Sequence, residues 1–140
     1  MIWCHNIIIK QIAKGEKNGN YVVKHGNLES VRTYNHIDDA IEAYWLCSES
    51  DKYGEIYNIG GSETCKVGDA LDAMISKSDK PFKKILDKRR LRPTDITLQI
   101  PSTDKFKKDF NWKPKKTMDD IWNDLLNYWR VKLWENIFQH

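Results

Sequence analysis

The sequence predicts an α/β fold, a small mixed sheet with helices, folded as one domain over residues 1–140. Three observations point there. Short β-rich runs at Tyr21-Val22-Val23, Val31 to Ile37 and Glu55 to Ile59 alternate with stretches whose apolar residues recur at helical spacing. Turn residues such as Gly26-Asn27 and Gly60-Gly61 punctuate the switches between them. At 140 residues and 40% hydrophobic content, the chain has room for one core and no second full domain.

In order, Ile2, Trp3, Ile7, Ile8, Ile9 and Ile12 form a broad helical stripe that ends before the turn-rich Gly15 to Asn20. The expectation is a helix entered part-way into a fold, with no strand and no nucleotide-binding unit before it. After Tyr21 to Val23 and the Gly26-Asn27 turn, Val31 to Ile37 reads as an extended segment running into a helix that begins at Asp38-Asp39. Asp39 and Glu42 have capping-box spacing. Ile37, Ile41, Tyr44 and Trp45 recur on one face, which predicts docking on a sheet through an aromatic side. Glu55 to Ile59 alternates with period two and reads as a strand, and Val67, Ala70, Leu71, Met74 and Ile75 read as a helix.

Phe82 to Asp87 reads as a further strand, Ser102 to Phe110 as a short helix packed through Phe106 and Phe110, and Trp112-Lys113-Pro114 as its breaker. Thr117, with Asp120 three residues on, is an N-cap candidate. The stripe of Met118, Ile121, Trp122, Leu125, Trp129 and Leu133 then predicts a long last helix covering the sheet.

The composition bounds the chemistry. A net charge of +3 with 31% charged residues suits an anionic ligand without demanding nucleic acid, and carboxylates are interleaved through the basic clusters. Cys4, Cys47 and Cys65 are odd in number with no CxxC pair, so the expectation is free thiols in a reducing, cytoplasmic setting. Cys4-His5 lacks partners at metal-ligand spacing, so no metal site is expected. Ile7-Ile8-Ile9 is far shorter than a membrane span.

The segment richest in chemistry is Lys88-Arg89-Arg90-Leu91-Arg92-Pro93-Thr94-Asp95. The planar guanidinium of Arg92 is able to bond two phosphate oxygens at once, and Pro93 biases Arg92 towards an extended backbone that aims it. Asp95 is placed to accept from sugar hydroxyls beside the phosphates. A solvated basic loop is the competing reading of the same residues.

Five segments, taken together, resemble the substrate-binding part of extended short-chain dehydrogenases that act on nucleotide sugars. They are Gly26-Asn27-Leu28-Glu29-Ser30-Val31-Arg32, His36-Ile37-Asp38-Asp39-Ala40, Gly54 to Gly61, Leu91-Arg92-Pro93-Thr94-Asp95 and Phe110-Asn111-Trp112-Lys113-Pro114. The Gly-Asn-Leu-Glu and Arg-Pro-Thr-Asp pieces narrow the resemblance to GDP-mannose 4,6-dehydratase and GDP-4-keto-6-deoxymannose reductase. The resemblance implies a substrate-binding lobe for a GDP-sugar. It implies that Arg32 and Arg92 bind the pyrophosphate, that Asp95 binds the ribose, and that Asn27 lines the nucleotide site.

Intact members of this group carry NAD or NADP on a Rossmann half, together with a catalytic Ser or Thr and a Tyr-x-x-x-Lys pair. Here the glycines at 15, 19, 26, 54, 60, 61 and 68 form no G-x-G-x-x-G. The one Tyr-x-x-x-Lys spacing, Tyr128 to Lys132, follows the substrate motifs instead of preceding them, and reads as helix packing and solvation. The expectations are therefore that no cofactor is bound by this chain, that no catalytic residues are present, and that the chain is inactive alone. Its partner is expected to be a separate Rossmann half, or a second copy meeting the apolar face around Trp3 and Ile7 to Ile9. A non-catalytic binding or self-assembly module is the alternative.

Overall fold

The computed structural model describes residues 3–135, with side chains from His5 onward. Helix α1 (Trp3–Asn18) leads into β1 (Val22–His25) and β2 (Val31–Thr33), then α2 (Ile37–Ser48), β3 (Thr64–Lys66) and α3 (Val67–Ile75). β4 (Lys83–Leu86) and a 3-10 turn at Lys88–Arg90 precede β5 (Leu98–Gln99), α4 (Asp104–Phe110) and α5 (Met118–Glu135). The fold class is the expected α/β, with the strands divided between two small sheets. β1 pairs with β4 in parallel, while β2 lies between antiparallel β3 and parallel β5.

Two hydrophobic clusters hold these elements. In the larger, Ile8, Ile9, Ile12 and Ala13 of α1 meet Val23 of β1, Leu71 and Met74 of α3, and Trp122 and Leu126 of α5. The stripe of α1 thus fills a core. Only Ile7 stays partly open, so the expected uncovered face at Ile7 to Ile9 is not there, and the Trp3 side chain lies outside the described residues. α5 does not cover a sheet as expected. It packs on α1 and α3, tied to α1 by a two-pronged Arg130–Glu16 ion pair at 2.7 and 2.8 Å. Its start is the expected cap, with Thr117 Oγ1 accepting from the Asp120 amide at 3.2 Å and the Asp120 carboxylate accepting from the Thr117 amide at 2.8 Å.

The smaller cluster joins Ala43 of α2, Phe106 of α4 and Trp112, with Tyr57, Ile59 and Phe110 around them. Asn111 ends α4 in the left-handed region at φ 48°, which reverses the chain and brings Trp112 back under Phe106 at 5.2 Å between ring centroids.

Three expectations fail here for identifiable reasons. The apolar face of α2 does not dock on a sheet. Ala43 points to the core, while Ile37, Ile41, Tyr44 and Trp45 stand 57–66% exposed. Asp39 and Glu42 form no capping box. Buried His36 caps α2 by accepting from the Asp38 amide at 3.1 Å, which leaves Asp39 to accept the amides of Lys115 and Lys116 at 3.0 and 3.1 Å. Glu55 to Ile59 is not a strand. Its alternation is real, because Tyr57 and Ile59 turn to the smaller cluster while Ile56 faces out, but no neighbouring strand completes a ladder. The strand of this region is β3, beyond Gly61, where a Cβ would lie 1.6 Å from the Tyr34 carbonyl oxygen.

Candidate functional site

The site is assembled by the parallel pairing of β2 with β5, which sets Val31 opposite Leu98 and Arg32 opposite Gln99. That register, with the Val31 amide donating to the Thr97 carbonyl at 2.8 Å, lays the Leu91 to Ile96 loop against the Gly26 to Arg32 segment. Asn27, Arg32, Arg92 and Asp95, nominated from two segments some 60 residues apart, all line one cavity of about 940 Å³.

Asp95 is the hub. One of its carboxylate oxygens accepts from Asn27 Nδ2 at 2.7 Å and from Ser30 Oγ at 3.1 Å, and the other lies 3.5 Å from the Arg32 guanidinium. The Asn27 amide, then the Ser30 hydroxyl and the Arg32 charge, hold this carboxyl below the usual aspartate range against the opposing effect of burial. Asn27 has its own second tie, since its Oδ1 accepts the Glu29 amide at 2.9 Å.

The two arginines differ. Arg32 turns inward, donating Nη1 to the Val31 carbonyl at 2.9 Å and Nη2 to the Ile96 carbonyl at 2.5 Å. A guanidinium carries five N–H donors, so donors remain for an anion in the cavity. Arg92 is exposed and makes no hydrogen bond or ion pair among the described residues, which leaves its whole fork open. Arg89 and Arg90 beside it are committed locally. Asp87, driven down to about 2 by the Arg89 side chain first, accepts from Arg89 at 3.0 Å and faces Arg90 at 3.5 Å.

The sequence did not assign the rest of the wall to this site. His5 of α1, Tyr34 and Trp122 of α5 form an aromatic group with centroids 4.5 Å apart for His5 and Tyr34, and 5.1 Å for Tyr34 and Trp122. Burial, then the charge of Arg32, lowers the His5 pKa to about 4, so its ring is neutral at pH 7. The helical stripe at 2–12 pointed to packing of α1 but held no sign that its first turn reaches the β2–β5 loops. His36 ties the start of α2 to α5 through Asp124 at 3.0 Å on the cavity wall. Tyr128, half exposed among the cavity-lining residues, packs edge-on against Trp129 with centroids 5.4 Å apart and accepts from exposed Lys132 Nζ at 2.8 Å.

A pyrophosphate seat needs open amides at a helix N-terminus beside a glycine-rich turn. At the start of α2, which lines this cavity, the Asp38 amide is taken by His36 and two carboxylates follow, so no such seat is made there. Among the described residues no group of three or more metal-ligating side chains occurs, and no helix is long and apolar enough to cross a membrane.

Comparison with known proteins agrees with this architecture. A family model described as GDP-mannose 4,6 dehydratase matches residues 3–125. The GDP-mannose 4,6 dehydratase of Drosophila melanogaster is 23% identical over 120 residues, covering 72% of this chain and 30% of that protein. UDP-glucose 4-epimerase 2 of Oryza sativa subsp. japonica is 28% identical over 131 residues, covering 86% and 31%. Among solved structures, RMD from Pseudomonas aeruginosa complexed with NADPH superposes with a TM-score of 0.83 at 17% identity, over 94% of this chain and 43% of that one. UDP-glucuronic acid 4-epimerase from Bacillus cereus, in complex with UDP-glucuronic acid and NAD, gives a TM-score of 0.78 at 22% identity, over 92% and 40%. This chain spans about a third of the length of these curated relatives. With the family model matched across most of its length, the chain belongs to the GDP-mannose 4,6 dehydratase family of sugar-nucleotide dehydratases and epimerases.

Proposed function

We propose that this chain is the nucleotide-sugar-binding portion of an NAD(P)-dependent sugar-nucleotide dehydratase or reductase, that its ligand is a GDP-sugar, and that it is a single cytoplasmic domain inactive alone. The observation that supports this best is the meeting of Arg92, Arg32, Asn27 and Asp95 in one cavity. The open fork of Arg92 takes the diphosphate, and the remaining donors of Arg32 reach it from β2. Asp95, oriented by Asn27 and Ser30, accepts from the ribose hydroxyls. In this reading NAD(P) and the groups that move hydride and proton belong to a second body.

The outer face of α2 fits that division of labour. Ile37 and Ala40 line the cavity, so the exposed stripe of Ile41, Tyr44 and Trp45 continues from its mouth. Residues 37–51 carry the carboxylates Asp38, Asp39, Glu42, Glu49 and Asp51 and no lysine or arginine. Of these, Asp39 is buried and accepts the Lys115 and Lys116 amides, and Glu42 is paired with Lys115 at 2.5 Å, so the stripe meets a partner chiefly as an apolar face.

Titration calorimetry with GDP and GDP-mannose tests the reading. Micromolar binding that Arg92→Ala removes supports it, and NADPH-dependent turnover of a GDP-sugar by the pure chain contradicts its inactive part. The second reading, a self-assembly module without ligand, is favoured by the same α2 stripe. It predicts a stable oligomer in analytical ultracentrifugation and no heat with either nucleotide.

A further inference from the structure

The parallel pair of β1 and β4 has one edge closed and one open. On the β1 side the Gln11 side chain stands where a third strand would be. The Lys24 amide donates to its Oε1 at 3.0 Å, and its Nε2 donates to the Lys24 carbonyl at 3.2 Å. On the β4 side no described residue does this. The Lys83 amide donates to the Tyr21 carbonyl and the Asp87 amide to the His25 carbonyl, each at 2.8 Å, so residues 83, 85 and 87 turn their backbone groups to β1. Those of Lys84 and Leu86 therefore point outward, and they have no hydrogen-bond partner among the described residues. Ile85 and Leu86 stand 47% and 49% exposed along this edge. An open edge of this kind is a template for another strand.

We infer that β4 pairs antiparallel with β4 of a second copy of this chain, joining two β1–β4 pairs into one continuous sheet across a two-fold axis. This stands apart from the nucleotide reading and from any association through α2.

The register selects a second copy as the occupant. In an antiparallel ladder the outward groups of one strand must meet outward groups of the other. Setting Lys84 opposite Leu86 of the second copy does so for both open residues of both chains, and two-fold symmetry then places Ile85 on the axis against itself. A shift of one residue turns the bonding groups away from each other. Moving two residues one way sets Lys84 against Lys84, and two the other way sets Lys84 against Lys88, and like charges directly opposed weaken a pair. The remaining register opposes no like charges. Lys84 is neutralised by Asp72 of its own chain at 2.6 and 2.9 Å and lies across from a leucine. Lys83 lies across from Asp87, which also holds Arg89 of its own chain and is still extended at φ −100° and ψ 104°. Lysines on an edge strand ordinarily discourage pairing. Here each has an apolar or acidic residue opposite. β4 runs straight into Lys88 to Arg92, so the joined strands lie at the root of the basic loop.

Cysteine crosslinking of the full chain reads this register directly. Residues opposed in a non-hydrogen-bonded antiparallel pair have Cα atoms about 4.5 Å apart, within the range of about 4.4–6.8 Å that a disulfide spans. Ile85→Cys is expected to form a covalent dimer on mild oxidation. Lys84→Cys, which faces position 86 and not its own copy, should yield no more dimer than the parent with its native cysteines. Sedimentation of the parent over a concentration series should show a monomer–dimer equilibrium. Ile85→Lys opposes two cations on the axis, and Leu86→Pro deletes an outward amide without touching the β1 ladder, so each should leave monomer with a urea midpoint near that of the parent. Trp45→Lys should leave the dimer in place. The inference is overturned if Ile85→Cys and Lys84→Cys crosslink equally, or if the dimer survives Ile85→Lys and is lost in Trp45→Lys. A parent that stays monomeric, with no crosslink in Ile85→Cys above its own level, overturns the second copy as occupant and leaves the edge to a foreign strand. If Leu86→Pro fails to fold, Ile85→Lys carries the test.

Discussion

Asn27 Nδ2 donates to Asp95 Oδ2 at 2.7 Å across 68 residues of chain, and this bond fixes the carboxylate that the loop after Pro93 presents to the cavity. Replacing Asn27 by Ala removes the leading cause of the lowered Asp95 pKa, so NMR titration of Asp95 should move up towards the ordinary value of 3.8. In the parent the folded pKa lies below the unfolded one. Its stabilisation is therefore present above pH 3.8 and is lost as pH falls through the folded value. An unchanged Asp95 titration in Asn27→Ala would remove Asn27 from this role.

The inward and outward arginines should separate by experiment. Arg32 serves two backbone carbonyls and faces Asp95, so Arg32→Ala leaves those acceptors unpaired and should cost about 1–3 kcal/mol in denaturant unfolding. Arg92 makes none of these contacts, and Arg92→Ala should change stability by less than about 0.5 kcal/mol. Under the proposed function it is Arg92→Ala, with a near-parent melting curve, that loses GDP. A comparable stability loss in both variants would contradict the distinction.

Acid sensitivity should begin with His5. Its folded pKa of about 4 is below the unfolded 6.5, so between those values the unfolded chain holds a proton the folded chain does not. Stability is complete above pH 6.5 and falls as pH drops towards 4, by roughly 2 kcal/mol at most for a group with some solvent contact. Urea midpoints at pH 7 and pH 5 should differ in the parent and converge in His5→Phe. An equal pH dependence in the two proteins would place the titrating group elsewhere.

How far the sequence carried follows from the range of the interactions involved. Local signals sufficed for α1, α3 and the Thr117 cap, because each depends on neighbours within a turn or two, whereas α4 ends on Asn111 in the left-handed region and not first at the expected breaker Trp112-Lys113-Pro114. The family motifs reached further and brought Arg32, Arg92, Asn27 and Asp95 into one cavity. Periodicity failed at Glu55 to Ile59 and on α2 for one reason: alternation reports which side chains lie on a common face, not whether another element meets that face. His5 and Gln99 could not be found in advance, since their place depends on α1 and β5 meeting β2, a tertiary fact with no local spacing.

The outer face of α2 makes a separate prediction about stability. Trp45 is exposed, so Trp45→Lys should leave the unfolding free energy within about 0.5 kcal/mol of the parent while abolishing any association through this face. Ala43, one turn face away, is fully buried against Phe106 and Trp112. Ala43→Leu should cost about 1–3 kcal/mol by overpacking that cluster. The reverse order of stabilities, read by chemical denaturation, would mean that α2 sits the other way round.

Gly26 sets the spacing between the two halves of the candidate site. A Cβ there would lie 2.7 Å from the carbonyl oxygen and 3.1 Å from the Cβ of Arg90, so the basic loop is seated directly on this glycine. The conflict is with backbone, which cannot rotate away as a side-chain tip does, and Gly26→Ala must push the Lys88 to Arg92 segment outward. Arg92 is two residues past the contact and would move with it, while Asn27 is the very next residue to the change. Under the proposed function the expected result is a loss of GDP affinity of about tenfold or more with a modest stability cost of ~1 kcal/mol, because both halves of the site lose their spacing. Gly19→Ala is the matched control, since a Cβ there meets nothing within 4 Å, and its positive φ of 77° makes its cost conformational alone. Ligand affinity should be unchanged in that control, and equal affinities for the two variants would show that the Arg92 loop is not positioned by Gly26.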